Sequence, residues 1–492
     1  MRFLSSDDLE GRGTGTRGYA VAAEYVAAQF RSYGLDAQLQ PIRFRTTVRD
    51  TASTMSIERD GAQPEQWTLN KEWVTYGDVL RDDTTASGRV VFAGYGVTAP
   101  DRQYDDYANI DAKGKIVALF SGAPSTFPSE IRAHYSASLT KLENAVAHGA
   151  IGTIVIMNPY DAHIPWSMIT RRSEMTSMNW LEADGTPHAT RREILASGTL
   201  SHDGAVALFT GSKYSLDDLY IQANNGTLRA FDLPLRATIH LLGHHDEVTS
   251  SNVIGVLRGS DPKLRDEYVV YSAHLDHLGI TTPVNGDAIN NGALDNASGI
   301  GAMLEVARLM AEVKPRRSVL FVATTGEEKG LRGADYFANN PIVPANAIVA
   351  DINLDEIMMQ TPVTDIVALG SDHSDLGAVV ADAAKSAGVT VSPDPYPEEG
   401  DFVRSDQYPF VRRGIPSVYI GAGYHAVDPK IDAKKLQLEW ISTLYHTPKD
   451  EMSQPLDFSV GAMVAKVALK TGEMVANRDA RPRWNPGDFF AR

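Results

Sequence analysis

Two adjacent glutamates, Glu327 and Glu328, follow directly after an apolar segment of the chain. The segment Ser318 to Ala323 has the composition of a buried strand, which delivers both carboxylates to the loop at its carboxyl end. In open α/β sheets, ligands bind beyond the carboxyl ends of the strands. Two acids there could divide the chemistry, one binding a metal ion and the other transferring a proton. The structural alternative is an acidic start to the helix 331–339.

Other side chains that can bind a metal also follow strand-like stretches: His274 and Asp276 follow 268–273, and Asp355 follows 347–354. Two more lie in loops. Asp295 is in a glycine-punctuated loop that opens a helix, and His446 is in a turn-rich segment. Imidazole nitrogens and carboxylate oxygens form a donor set that suits zinc with an open position for water. A single His or Asp at a strand end more often serves as a cap or hydrogen-bond partner. Several such segments in one half of the chain predict a metal site.

These residue types favour metal-assisted hydrolysis. Amide hydrolysis needs a nucleophile at neutral pH, and zinc lowers the pKa of its bound water to about 7. Two ions roughly 3.5–4 Å apart can share that hydroxide and polarise the carbonyl. Asp295, Glu328 and Asp355 offer the anionic ligands that two neighbouring dications require. Glu327, adjacent to a ligand, is placed for proton transfer.

The order and spacing of these motifs resemble the co-catalytic di-zinc aminopeptidases, the family of bacterial leucyl aminopeptidases (zinc metallopeptidase family 28). The motifs are His274-x-Asp276, Asp295 within Gly-Ala-Leu-Asp-Asn-Ala-Ser-Gly, Gly326-Glu327-Glu328, Asn353-Leu354-Asp355 and Tyr445-His446-Thr447. They cover about half of the chain. Most of the remainder resembles the protease-associated domain that is often inserted in this family.

The resemblance implies two zinc ions per chain and a role for each motif residue. His274 and Asp355 would bind one ion, Glu328 and His446 would bind the other, and Asp295 would bridge both. Glu327 would be the general base. Asp276 would restrain a ligand, and Tyr445 would donate a hydrogen bond to the oxyanion. It also implies a cis peptide bond between Asp295 and Asn296.

The implied activity is that of an exopeptidase that hydrolyses peptides at their amino terminus through a metal-bridging hydroxide and a glutamate base. A carboxypeptidase of the same family would need cationic groups, preferably Arg, for the terminal carboxylate. The segment 417–424 contains no Arg. Arg404, Arg412 and Arg413 lie upstream, where we expect a helix to expose them.

Two further expectations concern ligands and alternatives. Glu398, Glu399 and Asp406 are candidates for binding the substrate ammonium. A glutaminyl cyclase that uses a single zinc ion on the same fold is the other enzymatic alternative. His277 lies an odd number of residues from His274, so on an extended segment it would point to the opposite side, and we do not expect it to be a ligand.

Other catalytic classes lack their sequence signals. The chain contains no cysteine, no His-Glu-x-x-His zinc helix and no Gly-x-Ser-x-Gly nucleophile motif. The string Gly13 to Gly18 matches the dinucleotide-binding pattern Gly-x-Gly-x-x-Gly. It follows a polar stretch instead of a strand, which predicts a loop before an amphipathic helix over 16–34.

Length and composition are those of a large globular enzyme. The 492 residues exceed a single core, and the apolar content of 43% and charged content of 22% are ordinary values. A net charge of −16 argues against nucleic acid or an anionic membrane as partner, and no apolar stretch reaches membrane-spanning length. The sequence gives no indication of the oligomeric state.

Strands and helices alternate from Ser251 onward, which predicts an α/β fold with a mostly parallel mixed sheet flanked by helices. We assign residues 1–45 and 246–492 to the catalytic domain and residues 46–245 to a mainly β, protease-associated-like insert. Export of relatives with this domain plan favours a periplasmic or secreted location, although residues 1–7 show no signal-peptide core.

Overall fold

The computed structural model describes residues 1–159 and 165–491. The chain forms two compact units, one from Met1–Arg43 together with Thr249–Arg492, the other from Phe44–Val248. The first unit is a mixed α/β structure in which helices flank a mostly parallel sheet, so the predicted fold class is confirmed. Among the described residues, no helix combines the length and apolar character needed to span a bilayer.

After a 3-10 helix at Asp7–Arg12, the chain forms α1 (Arg17–Ser32) and β1 (Asp36–Arg49). The second unit continues with β2 (Thr54–Arg59), β3 (Glu65–Trp67), β4 (Trp73–Val74), β5 (Asp83–Phe92), β6 (Thr98–Ala99), β7 (Tyr104–Asp105), β8 (Ile116–Phe120), α2 (Ser129–Ser136), α3 (Ser138–Ala147), β9 (Gly152–Ile156), α4 (Trp166–Glu174), β10 (Ser177–Trp180), β11 (Ala196–Leu200), α5 (His202–Phe209), α6 (Leu216–Asn224) and β12 (Phe231–Leu257).

The sheet of the second unit has the order β12–β5–β8–β9–β11–β4. Its centre, β5 to β11, is parallel, and the outer pairs are antiparallel. The described part of this unit contains more helix than the mainly β character predicted from the sequence. α4, α5 and α6 are short, at eight or nine residues each, and give a weak periodic signal.

The first unit continues with β13 (Tyr268–His274), β14 (Gly279–Val284), β15 (Asp287–Asn290), α7 (Gly299–Val313), β16 (Ser318–Thr324), α8 (Arg332–Asn339), β17 (Ile348–Asn353), β18 (Asp365–Leu369), α9 (Leu376–Ala387), β19 (Thr390–Ser392), α10 (Gln407–Arg412), β20 (Ser417–Ala422), α11 (Ala433–Thr443) and α12 (Phe458–Asn477). Its sheet has the order β19–β18–β20–β17–β13–β16–β12. The four central strands, β20, β17, β13 and β16, are parallel.

Strand β13 is buried on both faces, and alternate residues contribute to two different cores. Val269, Tyr271 and Ala273 belong to the large core that also includes residues of α1, α7, α9 and α12. Tyr268 and Val270 belong to a smaller core with residues of α8 and α10. This two-sided burial explains the continuous apolar sequence of the strand and fixes its position in the centre of the sheet.

Candidate metal centre

The candidate site lies at the carboxyl ends of three neighbouring parallel strands. β13 pairs in register with β16, so that His274 lies opposite Thr324, and β17 pairs with the other side of β13. The residues that follow these strand ends therefore meet at one edge of the sheet. They include the glutamate pair after β16 and Asp355 after β17.

His274 forms the first cluster with two carboxylates. Its Nε2 lies 3.0 Å from Asp355 Oδ1 and 3.2 Å from Asp295 Oδ1, and all three side chains are buried. Its Nδ1 lies 3.0 Å from the carbonyl oxygen of Asp276 and must donate to it. In the neutral imidazole this bond leaves the lone pair on Nε2, where a metal between the carboxylates would need it.

His446 forms a second cluster on the other oxygen of the same aspartate. Its Nε2 lies 3.2 Å from Asp295 Oδ2 and 3.2 Å from Glu328 Oε2. Asp295 thus faces a different histidine with each oxygen, which is the geometry of a bridging carboxylate. The five predicted ligands come together in one place.

The loop that carries Asp295 is held by Asp450. The Asp450 carboxylate accepts hydrogen bonds from the backbone N–H of Leu294 at 2.9 Å and of Asp295 at 3.0 Å, and from Gln454 Nε2 at 2.7 Å. The peptide bond between Asp295 and Asn296 is cis, as the resemblance implied. Asp450 lies four residues after His446 in the same turn-rich segment, and nothing in its local sequence distinguished it from a surface acid.

Asp276 is fully buried and organises the loop of the glutamate pair. Its Oδ1 accepts a hydrogen bond from the backbone N–H of Glu327 at 3.1 Å, and its Oδ2 accepts one from Thr14 Oγ1 at 2.8 Å. The side chain of Asp276 therefore positions the backbone of Glu327, while only its backbone carbonyl contacts the ring of His274. Thr14 belongs to the string Gly13–Gly18, which contributes to this site and leads into α1.

Arg12 is a buried cation beneath the site. Its guanidinium donates to the carbonyl oxygens of four residues: Leu4, Leu275 at 2.9 Å, Asn291 at 2.6 Å and Gly292 at 3.0 Å. Burial lowers the pKa of Arg12 to about 10, so the group remains charged at neutral pH. Leu275 follows His274, and Gly292 precedes Asp295, so a single side chain ties together two of the loops that carry candidate ligands.

Asp355 is oriented by hydrogen bonds that involve Ser405 and Asn353. Ser405 Oγ donates to Asp355 Oδ2 at 2.5 Å, and Asn353 Nδ2 donates to Ser405 Oγ at 2.9 Å. Since Oδ2 is occupied by this bond, Oδ1 is the oxygen that faces His274.

Asp406 does not fit its expected role. The side chain has no solvent exposure and accepts a short hydrogen bond from Thr324, so a substrate ammonium cannot reach it. Burial raises its pKa to about 7. The sequence placed it next to the site correctly, but it lies within the protein, because the turn before α10 directs it toward β16. Glu398 and Glu399 are exposed, and Glu399 pairs with Arg404.

His277 is the second departure from expectation, because it lies within the second cluster. Its ring is fully buried, with Nδ1 2.7 Å from Glu328 Oε1 and 3.6 Å from Asp295 Oδ2. The alternation rule failed because β13 ends at His274, so the regular alternation of an extended strand does not continue to His277. The N–H of His277 bonds to the carbonyl of Arg12 at 3.2 Å.

Glu327 and Tyr445 lie on the accessible side of the site, and both are only partly buried. The Tyr445 ring stacks on the ring of His446 with centroids 3.7 Å apart. Burial and the surrounding carboxylates raise the pKa of the Tyr445 phenol, so it stays protonated and can donate a hydrogen bond. Burial also raises the pKa of Glu327 well above that of an ordinary glutamate.

The charges and donor atoms of the site fit divalent cations. Burial lowers the pKa of His274, but the nearby carboxylate of Asp355 raises it, and the net pKa is raised. The pKa of His446 is raised in the same way, by the carboxylate of Glu328. Despite burial, His446 lowers the pKa of Glu328 to about 2. Asp295 Oδ2 and Glu328 Oε1 are buried without a hydrogen-bond partner among the described residues. Such atoms need a cation, and the field that attracts protons to these histidines also attracts a metal ion.

The three arginines considered for a carboxylate clamp, Arg404, Arg412 and Arg413, are exposed at the protein surface. Arg12 is buried, and Arg412 and Arg413 are exposed as expected. Arg404 is exposed and pairs with Glu399 and Asp401.

The structure places a candidate metal centre on a mixed α/β fold, and the comparisons with known proteins can be set beside it. Residues 252–471 match peptidase family M28. An aminopeptidase structure from Aneurinibacillus sp. strain AM-1 has a TM-score of 0.56 at 20% identity, covering 98% of this chain and 95% of that chain. At this identity the likeness concerns the fold.

Two curated relatives show the same relationship in sequence. A probable zinc metalloprotease of Pyrenophora tritici-repentis is 27% identical over 261 residues, which is 48% of this chain and 59% of that protein. An aminopeptidase of Pseudomonas aeruginosa strain UCBPP-PA14 is 24% identical over 373 residues, which is 74% of this chain and 57% of that protein. The chain thus spans less than two thirds of the length of these relatives. Residues 252–471 thus match the peptidase family that the motifs resemble, and the resemblance is confirmed for that part of the chain.

Replacement of Arg12 by Met should destabilise the first unit strongly. Each buried carbonyl left without a partner costs about 1–3 kcal/mol, so we expect a loss of at least about 3 kcal/mol in the free energy of unfolding, measured with urea. Arg17→Met is the control, because the Arg17 side chain is 74% exposed and should change stability by less than about 0.5 kcal/mol. Equal effects of the two substitutions would contradict the role of Arg12.

Proposed function

We propose that the protein is a di-zinc aminopeptidase. The observation that carries the proposal is Asp295, whose two carboxylate oxygens face His274 and His446 separately. His274 and Asp355 would bind one zinc ion, Glu328 and His446 the other, with Asp295 shared between them. Zinc at these positions would lower the pKa of a water molecule and polarise the scissile carbonyl.

Glu327 is the proposed general base. Its backbone is fixed through the N–H bond to Asp276, and its carboxylate makes no hydrogen bond with another described side chain that would occupy it. Its pKa is raised toward neutral pH, and a carboxylate with such a pKa can both accept and release a proton during the reaction. Glu327 would take the proton of the attacking water as the new C–O bond forms, and would then transfer it to the nitrogen of the leaving amine as the C–N bond of the amide breaks.

Tyr445 is proposed to stabilise the developing oxyanion. The phenol is protonated, and its ring is held against His446 at the accessible side of the site. A donor fixed in place before the reaction needs no reorganisation when negative charge develops.

The acidic surroundings of the site favour the amino terminus of a peptide over its carboxyl terminus. Glu356 is only partly buried and directly follows Asp355 in the chain, so it adds a further carboxyl group beside the cluster. A cationic ammonium group is attracted to such a site and a carboxylate is repelled. We also propose that the unit Phe44–Val248 is a protease-associated-like insert, on the basis of its position in the chain and its strand-rich sheet.

Replacement of Glu327 by Gln should abolish turnover without changing the bound metal. Gln retains the shape of the side chain but cannot accept the proton, so kcat should fall by at least about 100-fold. Zinc content, measured by elemental analysis, should equal that of the wild type. Glu312→Gln, at an exposed position of α7, is the control and should be fully active. A Glu327→Gln enzyme that keeps more than about a hundredth of wild-type activity would remove this residue from the mechanism.

Aminoacyl-4-nitroanilides with a free amino group should be hydrolysed, and their amino-acetylated forms should not. Acetylation removes the positive charge that the acidic site is proposed to bind. The measurement is release of nitroaniline, together with identification of the free amino acid. Removal of carboxyl-terminal residues from peptides would instead establish the carboxypeptidase alternative.

Elemental analysis and anomalous scattering at the zinc edge should find two zinc ions per chain. Zinc affinity should decrease as the pH falls, because protons compete for the imidazole nitrogens of His274 and His446. A stoichiometry of one zinc ion, combined with cyclisation of amino-terminal glutamine, would favour the glutaminyl cyclase alternative.

A further inference from the structure

His277 is a buried imidazole for which neither the fold nor the five-residue ligand set provides a role. Both of its ring nitrogens are buried, and neither makes a hydrogen bond to any described residue. The ring is held in place by the backbone of Gly292, where an added Cβ would lie 2.7 Å from the Cγ and Cδ2 atoms of His277. A buried polar ring that is fixed and unsatisfied needs a partner.

The nearest polar atoms to His277 are unsatisfied as well. Nδ1 lies 2.7 Å from Glu328 Oε1, which is ion-pair distance, and Glu328 Oε1 has no hydrogen-bond partner among the described residues. Asp295 Oδ2, 3.6 Å from Nδ1, is the third buried atom of the cluster without a hydrogen bond. One nitrogen and two carboxylate oxygens that lie close together, with their hydrogen-bonding capacity unused, are a donor set for a metal ion.

His446 shows what a ligand of this cluster looks like. Its Nε2 lies 3.2 Å from Glu328 Oε2 and 3.2 Å from Asp295 Oδ2, so it faces the same two carboxylates as His277 does. The two imidazole rings are 5.8 Å apart between centroids and inclined at 66°. Glu328 therefore lies between two histidines, with one oxygen near each.

We propose that His277 is an additional protein ligand, through Nδ1, of the zinc ion bound by Glu328, His446 and Asp295. This inference rests on the proposed di-zinc site. The two metal positions would then differ: one imidazole serves the ion at Asp355, and two imidazoles serve the ion at Glu328. Because neutral imidazole nitrogen is a good zinc ligand, the ion with two of them is bound more tightly and is the first to fill when zinc is added to the metal-free protein.

The test compares His277→Leu with His277→Asn in the full-length protein. Zinc is titrated into metal-free protein against a chromophoric chelator, and X-ray absorption at the zinc edge counts imidazole ligands. We expect three imidazoles per two zinc ions in the wild type and two in both variants, with the affinity of the tighter site reduced at least about tenfold. His202→Leu, at an exposed position of the second unit, is the control and should match the wild type.

The Asn variant separates ligation from hydrogen bonding. Its amide can donate to Glu328 Oε1 in place of Nδ1, but it is a poor zinc ligand. Wild-type zinc affinity in His277→Asn with loss only in His277→Leu would assign His277 as a donor to Glu328 and overturn the proposal. Wild-type affinity in both variants would also overturn it. If His277→Leu does not fold, His277→Asn alone decides, by the same criterion.

Failure of the proposed function gives a different result. If the wild-type protein binds two zinc ions with three imidazoles but hydrolyses no aminoacyl substrate, the proposed aminopeptidase activity is contradicted. The assignment of His277 as a ligand still stands in that case. A wild-type protein with only two imidazoles per two zinc ions would overturn the assignment of His277 and leave the activity untouched.

Discussion

Repulsion among buried carboxylates is the constraint on which the first unit depends. Asp276, Asp295, Glu328 and Asp355 are held together at one edge of the sheet with little or no access of their side chains to water. Two like charges 4 Å apart repel by about 4 kcal/mol at an effective dielectric constant of 20. Without compensation, such a group would push the loops apart. The compensation comes from nearby histidines, the guanidinium of Arg12 and the cations that the site is built to bind.

Hydrogen bonds from the backbone provide the rest of the compensation. Asp450 accepts the N–H groups of Leu294 and Asp295, and Asp276 accepts that of Glu327. Each bond lowers the energy of a buried charge and also fixes the position of the loop that donates it. The same contacts thus neutralise the site and set its geometry, which leaves Asp295 with both oxygens free to face the two histidines.

The sequence predicted the parts of the site that follow from local pattern. An apolar strand followed by a His or an acid is visible along the chain, and parallel pairing brings such strand ends together, so His274, the glutamate pair and Asp355 could be located in advance. The α/β fold followed from the same alternation of elements. The helices of the second unit were mostly missed, since eight or nine residues carry too little periodicity to separate a helix from a polar loop.

The parts that could not be predicted depend on contacts between distant segments or on the local path of the backbone. Arg12 bonds only to carbonyl oxygens, which every residue possesses, so no sequence pattern marks its partners. His277 was placed on the wrong side because the alternation of an extended strand was continued past the end of β13. Asp406 was correctly near the site, but pattern alone cannot tell whether an acid at a turn faces solvent or the interior.

The long separation between Arg12 and its acceptors has a consequence for biosynthesis. The carbonyl of Asn291 lies 279 residues further along the chain, which at translation rates of roughly 5–20 residues per second corresponds to a delay of roughly 14–56 s. All of Phe44–Val248 leaves the ribosome during that interval. The amino-terminal segment therefore waits, with its guanidinium in water, while the intervening unit is made and is free to fold. The candidate metal site at the edge of the sheet is completed only when His446 and Asp450, which follow Asn291 in the chain, have also emerged.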